Sequence, residues 1–200
     1  VIGTDGAQFV DALAVIGTEI ATGFQFVVGI WERPQDAPEG YEHPMDEVDA
    51  AMIDAEAYYD LWRIYIDPGS YTGNIEPLVQ KWEGRWGQER VIRWPMHRLR
   101  QTGVAAHNYA VAVSQGKTGP LSHDGNEVFA RHIKNAVREK INVKDENNPK
   151  LQLYKITKEH PHSPNKIDAA AAGLLSWEAR GDAITQNAAH KPSTAMEETP

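Results

Sequence analysis

Two hundred residues suffice for one sizeable α/β domain with a true core, or for two small ones. The chain has no Cys, which excludes disulfides and thiolate metal sites, and no apolar run approaches the roughly 20 residues of a membrane-spanning helix. A formal charge of -8 argues against a plain nucleic-acid binder, although the local field governs binding more than the total does. The charge is unevenly spread. Residues 32–60 carry many carboxylates, Asp46, Glu47, Asp49 and Asp54 among them, against a single Arg33. Arg85, Arg90, Arg93, Arg98 and Arg100 follow close together, and Arg131, Lys134, Arg138 and Lys140 lie further on. The chain opens inside an apolar run, with no initiator Met and no signal peptide. It therefore reads as a domain of a longer protein, and the absence of Cys fits a reducing intracellular setting.

Along the chain, Val1-Ile2-Gly3-Thr4 leads into Asp5-Gly6, a turn signal. Residues 11–20 and 24–31 are β-branched and aromatic, with Ala21-Thr22-Gly23 between them, and are predicted as hairpin-linked strands. Pro-rich residues 34–44 form a loop. From Asp46, a predicted N-cap, the residues Val48, Met52, Ala55 and Tyr59 recur at helical spacing. Residues 63–66 read as a short buried strand stopped by Asp67-Pro68-Gly69. Leu78, Val79, Trp82 and Trp86 mark a helix over 75–86, closed by Gly87, and residues 91–94 form the next strand. Residues 98–115 and 124–139 are predicted helical. Residues 141–143 and 151–156 read as strands around a polar loop, 144–150. A last helix is expected from the Ser163-Pro164 cap through residue 180, ended by Gly181. Residues 182–200 lack periodicity and are expected to be a disordered tail, leaving 1–181 as one domain.

The order β-β-β-α-β-α-β suits a mixed sheet flanked by helices. Three antiparallel strands come first, and parallel strands then join through helical crossovers. In that arrangement Asp5 and Asp67 end adjacent strands, and a helix laid across the sheet delivers Asp168 beside them. Three converging carboxylates suit hard divalent cations, and a pair of such cations is a common means of hydrolysing a phosphodiester. With oxygen ligands alone, the expected cofactor is two ions of Mg²⁺ or Mn²⁺, Asp5 bridging both and Asp67 and Asp168 each completing one coordination sphere. Taken singly, each Asp has a structural explanation: a turn, a strand stop, a helix N-terminus. The small residues Ala169–Ala172 and Gly173 favour the joint reading, because they let the helix press onto the sheet.

The segments VIGTDGAQFVDALAVIG (residues 1–17), YIDP (65–68), RHIKNAV (131–137) and SPNKIDAAAAGLLSW (163–177) resemble the nuclease domain of the large terminase subunit of tailed bacteriophages. The resemblance runs from Val1 to about Arg180 and rests on the order of individually weak motifs. It implies a ribonuclease H-like fold and an endonuclease that cuts concatemeric double-stranded viral DNA during packaging, in the host cell cytoplasm. The implied metal ligands are Asp5, Asp67 and Asp168. The implied partners are DNA, a packaging ATPase domain, the portal and the small terminase subunit. Other ribonuclease H-like nucleases (resolvases, recombinases) and a non-catalytic portal-docking module remain as alternatives.

Around the triplet, Lys155, Lys158 and Lys166 are candidate DNA contacts, since a cation there could hold the scissile phosphate. Asp11 is set aside as a turn residue, and Asp182 as too far along the last helix. No pair among His123, His132, His160 and His162 has zinc-site spacing, and His132 and Asn135 are read as packing or DNA-contact residues. Gly116-Lys117-Thr118 is not a phosphate-binding loop, because position 111 is Val and a helix precedes it.

Overall fold

The computed structural model describes residues 1–7, 11–69 and 75–188. Strands β1 (Ile2–Gly6), β2 (Ala12–Thr18) and β3 (Phe24–Glu32) form the expected antiparallel meander. Helix α1 (Met45–Tyr58) crosses to β4 (Ile64–Ile66), and α2 (Glu76–Trp86) crosses to β5 (Val91–Arg93). Both later strands are parallel to β1. After α3 (Leu99–Ser114), a two-residue strand β6 (Ser122–His123) joins the far edge parallel to β3, giving the order β5-β4-β1-β2-β3-β6. Then come α4 (Glu127–Asn135), an antiparallel hairpin of β7 (Val137–Lys144) and β8 (Gln152–Thr157), and the last helix, α5 (Asp168–Thr185). This is the α/β fold expected, a mixed sheet between helical layers.

Strand alternation sorts the core into two layers. Ile2, Leu13, Val15, Ile64 and Ile66 face α1 and α2, where they pack with Val48, Met52, Val79 and Trp82. The alternate residues face α3, α4 and α5: Tyr65 packs with Leu174, Leu175 and Tyr109, and Ala14 and Ile16 pack with Phe129, Ala169 and Ala172. Gly3 lies on this second face, and α5 runs directly over it. A Cβ at Gly3 would fall 2.1 Å from the Ala172 carbonyl oxygen and 2.3 Å from the Ser176 nitrogen. No side chain fits between that strand and that helix.

Three helices depart notably from their predicted limits. Helix α1 begins at Met45 after Pro44, so Asp46 sits in the first turn and does not cap it. The helix predicted over 124–139 stops at Asn135, because residues from Val137 onward pair with β8 and Arg138 stacks on the Tyr154 ring at 4.8 Å. Cross-strand pairing there outweighs a weak local helical preference. The last helix begins at Asp168 and not at Ser163-Pro164. The Ser163 hydroxyl is engaged in a turn, donating to Glu159 Oε1 (2.6 Å) and accepting from the Asn165 N–H (3.0 Å). The same helix passes through Gly181 to Thr185, held by buried Ala183 and by the Tyr65 hydroxyl, which donates to Asp182 Oδ2 at 2.5 Å. Residues 182–185 of the expected tail are thus helical, and 189–200 lie outside the described residues. Among the described residues no helix is long and apolar enough to cross a membrane.

Candidate metal centre

Parallel pairing of β1 with β4 places Thr4 opposite Ile66, so Asp5 and Asp67 are the next residues out of neighbouring strands. The Asp67 N–H donates to the Thr4 carbonyl at 3.1 Å, which holds the two strand ends together. Asp5 shares a face with Gly3, and Asp67 shares that face with Tyr65. It is the face covered by α5. Asp168 lies one helical turn before Ala172, the residue pressed on Gly3, so the helix start rests over the Asp5 end of the sheet. The close approach at Gly3 therefore has a chemical result: it lowers the helix until its first residue joins the strand-end carboxylates.

The electrostatics follow from this crowding. Burial pushes the Asp5 carboxyl well above the usual carboxylate range, and the charges of Asp168 and Asp67 push it further. Asp168 is pushed up to about 6, chiefly by burial and then by Asp11, with Lys158 and Lys166 opposing. Burial also raises Asp67, partly offset by the N–H groups of Gly69 (3.2 Å) and Met96 and by His97. Asp168 is 8% exposed, and its buried Oδ2 has no hydrogen-bond partner among the described residues. A buried carboxylate oxygen without a donor is costly, and a hard cation would satisfy it. The donor set, three carboxylates and no sulfur or imidazole, fits Mg²⁺ or Mn²⁺. The fit is one of chemistry. Among the described residues no group of three or more His, Cys, Asp or Glu side chains is disposed as a ready-made cage.

The three candidate lysines separate. Lys158 and Lys166 both reach Asp11 Oδ1, the latter at 2.9 Å. Lys155 pairs across the hairpin with Glu139 at 3.3 Å. Asp11, set aside in the sequence, thus belongs to the rim of the cluster. Burial tends to raise its pKa, but the two lysines more than reverse that and hold it below the ordinary range. It has a left-handed backbone (φ 65°), a conformation that Asp tolerates better than most residues. Nothing near Asp11 in the sequence announces lysines so far along the chain. His43 was also missed. It is 2% exposed, its Nε2 has no partner among the described residues, and it lies within the field of Lys166.

His132 and Asn135 do pack, as read from the sequence, but with a more specific task. Ile167 precedes α5 without capping it. Instead the Ala169 N–H donates to His132 Nδ1 at 3.0 Å, and Asn135 Nδ2 donates to the Lys166 carbonyl at 3.0 Å. Two side chains of α4 thereby hold the backbone on both sides of Asp168.

The fold is similar to that of a solved phage nuclease. The structure superimposes on the large terminase nuclease from thermophilic phage G20c, solved with bound magnesium, with a TM-score of 0.55 over 88% of this chain and 79% of that one, at 11% identity. In sequence it is similar to the gene 13 protein of Mycobacterium phage L5, 28% identical over 205 aligned positions covering 98% of this chain, and to that of phage D29, 27% identical over 90%. The chain spans about a third of the length of these relatives (31% and 29%). No family model matches.

Proposed function

We propose that this domain is a divalent-cation-dependent endonuclease that cuts double-stranded DNA, and that it works as the nuclease of a phage large terminase during genome packaging. One observation carries the reading. Asp5 and Asp67 share one sheet face at the ends of β1 and β4, and the start of α5 lays Asp168 over that face, with raised pKa values and an unpartnered buried oxygen. Carboxyl ends of parallel strands are where open α/β sheets ordinarily bind their ligands, and the solved nuclease with this fold holds magnesium.

In this reading the three aspartates hold one or two ions of Mg²⁺ or Mn²⁺. When bound, the ions would activate the attacking water and stabilise charge on the departing 3′-oxygen. The chain's own residues do the rest. Lys158 and Lys166, held at the rim by Asp11, are placed to exchange that carboxylate for a phosphate oxygen of the backbone, and Lys155 extends the basic surface along the hairpin. Contacts of this kind grip phosphates without reading bases, so cutting has little sequence preference. In the full-length protein the expected partners are a packaging ATPase domain, the portal and the small terminase subunit, in the cytoplasm of the host.

The test is plasmid cleavage in Mg²⁺, Mn²⁺, Ca²⁺ or EDTA, with Asp168→Ala beside the wild type. Nicking or linearisation that needs Mg²⁺ or Mn²⁺ and disappears in the variant supports the reading. Equal cutting by both proteins sinks the site assignment. Metal-independent DNA or portal binding without cutting would favour a docking module.

A further inference from the structure

A helix leaves its first N–H groups without intrahelical acceptors, and a side chain just upstream usually supplies one. Helix α5 lacks that local cap, yet its start is buried and bears Asp168. The acceptor comes from another helix. His132, 0% exposed, can accept from the Ala169 N–H only through an unprotonated Nδ1, so its proton is on Nε2, which faces Glu32 Oε1 at 3.1 Å. Glu32 ends β3 and also pairs with Arg131. Burial keeps His132 below its ordinary pKa despite the Glu32 carboxylate, which preserves the neutral, accepting ring. One turn along α4, Asn135 fixes the Lys166 carbonyl. The chain around Asp168 is thus clamped at residues 166 and 169, while the Asp168 carboxylate keeps a free oxygen.

We infer that Glu32, His132 and Asn135 form a positioning unit that caps α5 from outside its own chain segment and sets the affinity of the acidic cluster for divalent cations. The inference rests on the reading of Asp5, Asp67 and Asp168 as cation ligands. None of the three residues need touch metal or DNA; they act by fixing the backbone that carries Asp168. Outer groups that orient a metal ligand ordinarily contribute about 10–100-fold in affinity.

The probe is Mn²⁺ alone, followed by electron paramagnetic resonance and calorimetry on the metal-free domain, with melting in EDTA recorded in parallel. In the wild type, imidazole ¹⁵N shifts report the Nε2–H tautomer of His132, and the Ala169 amide exchanges slowly. His132→Leu removes the acceptor and should weaken Mn²⁺ binding about 10-fold or more. His132→Asn, whose Oδ1 can stand where Nδ1 stood, should restore binding to within a few-fold of wild type. Glu32→Ala frees the ring to take the other tautomer and should weaken binding less, and it keeps the test open if His132→Leu does not fold. Equal Mn²⁺ affinity in wild type, His132→Leu and Glu32→Ala, with only the melting temperature lowered, would reduce the unit to a structural cap and overturn the inference. So would failure of His132→Asn to rescue. If the wild type binds no Mn²⁺ while the tautomer and amide protection are as described, the cation-ligand reading itself has failed, and the inference falls with it.

Discussion

Helix α5 carries two buried polar clusters, and they are built on opposite rules. Around its middle, the Thr18 hydroxyl donates to Ser176 Oγ (2.7 Å), and Gln25 Nε2 donates to Thr18 Oγ1, Ser176 Oγ and the Gly173 carbonyl. The Tyr109 hydroxyl closes the set on Gln25 Oε1 at 2.8 Å. Each of these side chains is neutral, buried and partnered. One and a half turns toward the N-terminus, Asp5, Asp67 and Asp168 crowd like charges together, and one oxygen has no donor. A satisfied network specifies a single packing, whereas unsatisfied carboxylates destabilise the fold and are the mark of a ligand site. The first cluster fixes the helix on the sheet with enough rigidity to maintain the repulsion in the second. Asp49 shows what the acidic cluster is not: Arg85, Lys81 and the Trp82 N–H hold its pKa far below the usual value.

The sharpest way to break the comparison is to neutralise the unsatisfied cluster. Asp5→Asn should reduce metal-dependent plasmid cleavage to the level of a no-enzyme control while raising the melting temperature in EDTA. A fall in both would mean that Asp5 is structural. Removing a member of the satisfied network should do the reverse. Gln25→Ala strands the Tyr109 hydroxyl, at about 1–3 kcal/mol for a buried group left unpaired, and cleavage per folded molecule should hold at low temperature. Denaturant melts read against single-turnover rates check this.

Acidity gives the next effect. Asp168 is raised to about 6 from 3.8. The stability contributed by its protonated form is complete below the unfolded value and is lost as pH rises through about 6. Across pH 4 to 7 this amounts to about 2 kcal/mol in the metal-free protein. Chemical denaturation in EDTA should show that decline, and Asp168→Asn should flatten it. Mn²⁺ at 100 times its dissociation constant should return about 2.7 kcal/mol to the wild type and much less to Asp5→Asn. The smallest effect belongs to Lys155. Its partner Glu139 is on the hairpin, and Lys155→Ala should change stability by less than about 0.5 kcal/mol. It should lower the salt dependence of DNA binding by at most about one unit in slope, whereas Lys158→Ala should weaken DNA binding outright.

Most of the fold was legible because it rests on local pattern. The alternation in residues 11–31 and the apolar spacing of residues 75–86 depend only on near neighbours. The candidate site was legible only as carboxylates at element boundaries, which is where the structure puts Asp5, Asp67 and Asp168. What escaped was whatever depends on distant partners. Val137 leaves a helical pattern because β8 comes to pair with it. Asp11 joins the site through two lysines from beyond the hairpin. His132 looked like a packing residue because its acceptor role appears only when the start of α5 arrives beside it.

The contact of α5 with Gly3 also sets the timing of assembly. The first strands and the last helix meet across most of the chain, as between Thr18 and Ser176, 158 residues apart. Contacts of such long range form late, since loop closure must be met before they repay it. On a ribosome the meander and both crossovers would emerge with two of the three carboxylates and an uncovered sheet face. Only when α5 clears the exit tunnel can Asp168 arrive beside Asp5 and Asp67, so an unfinished chain lacks a part of the proposed metal centre.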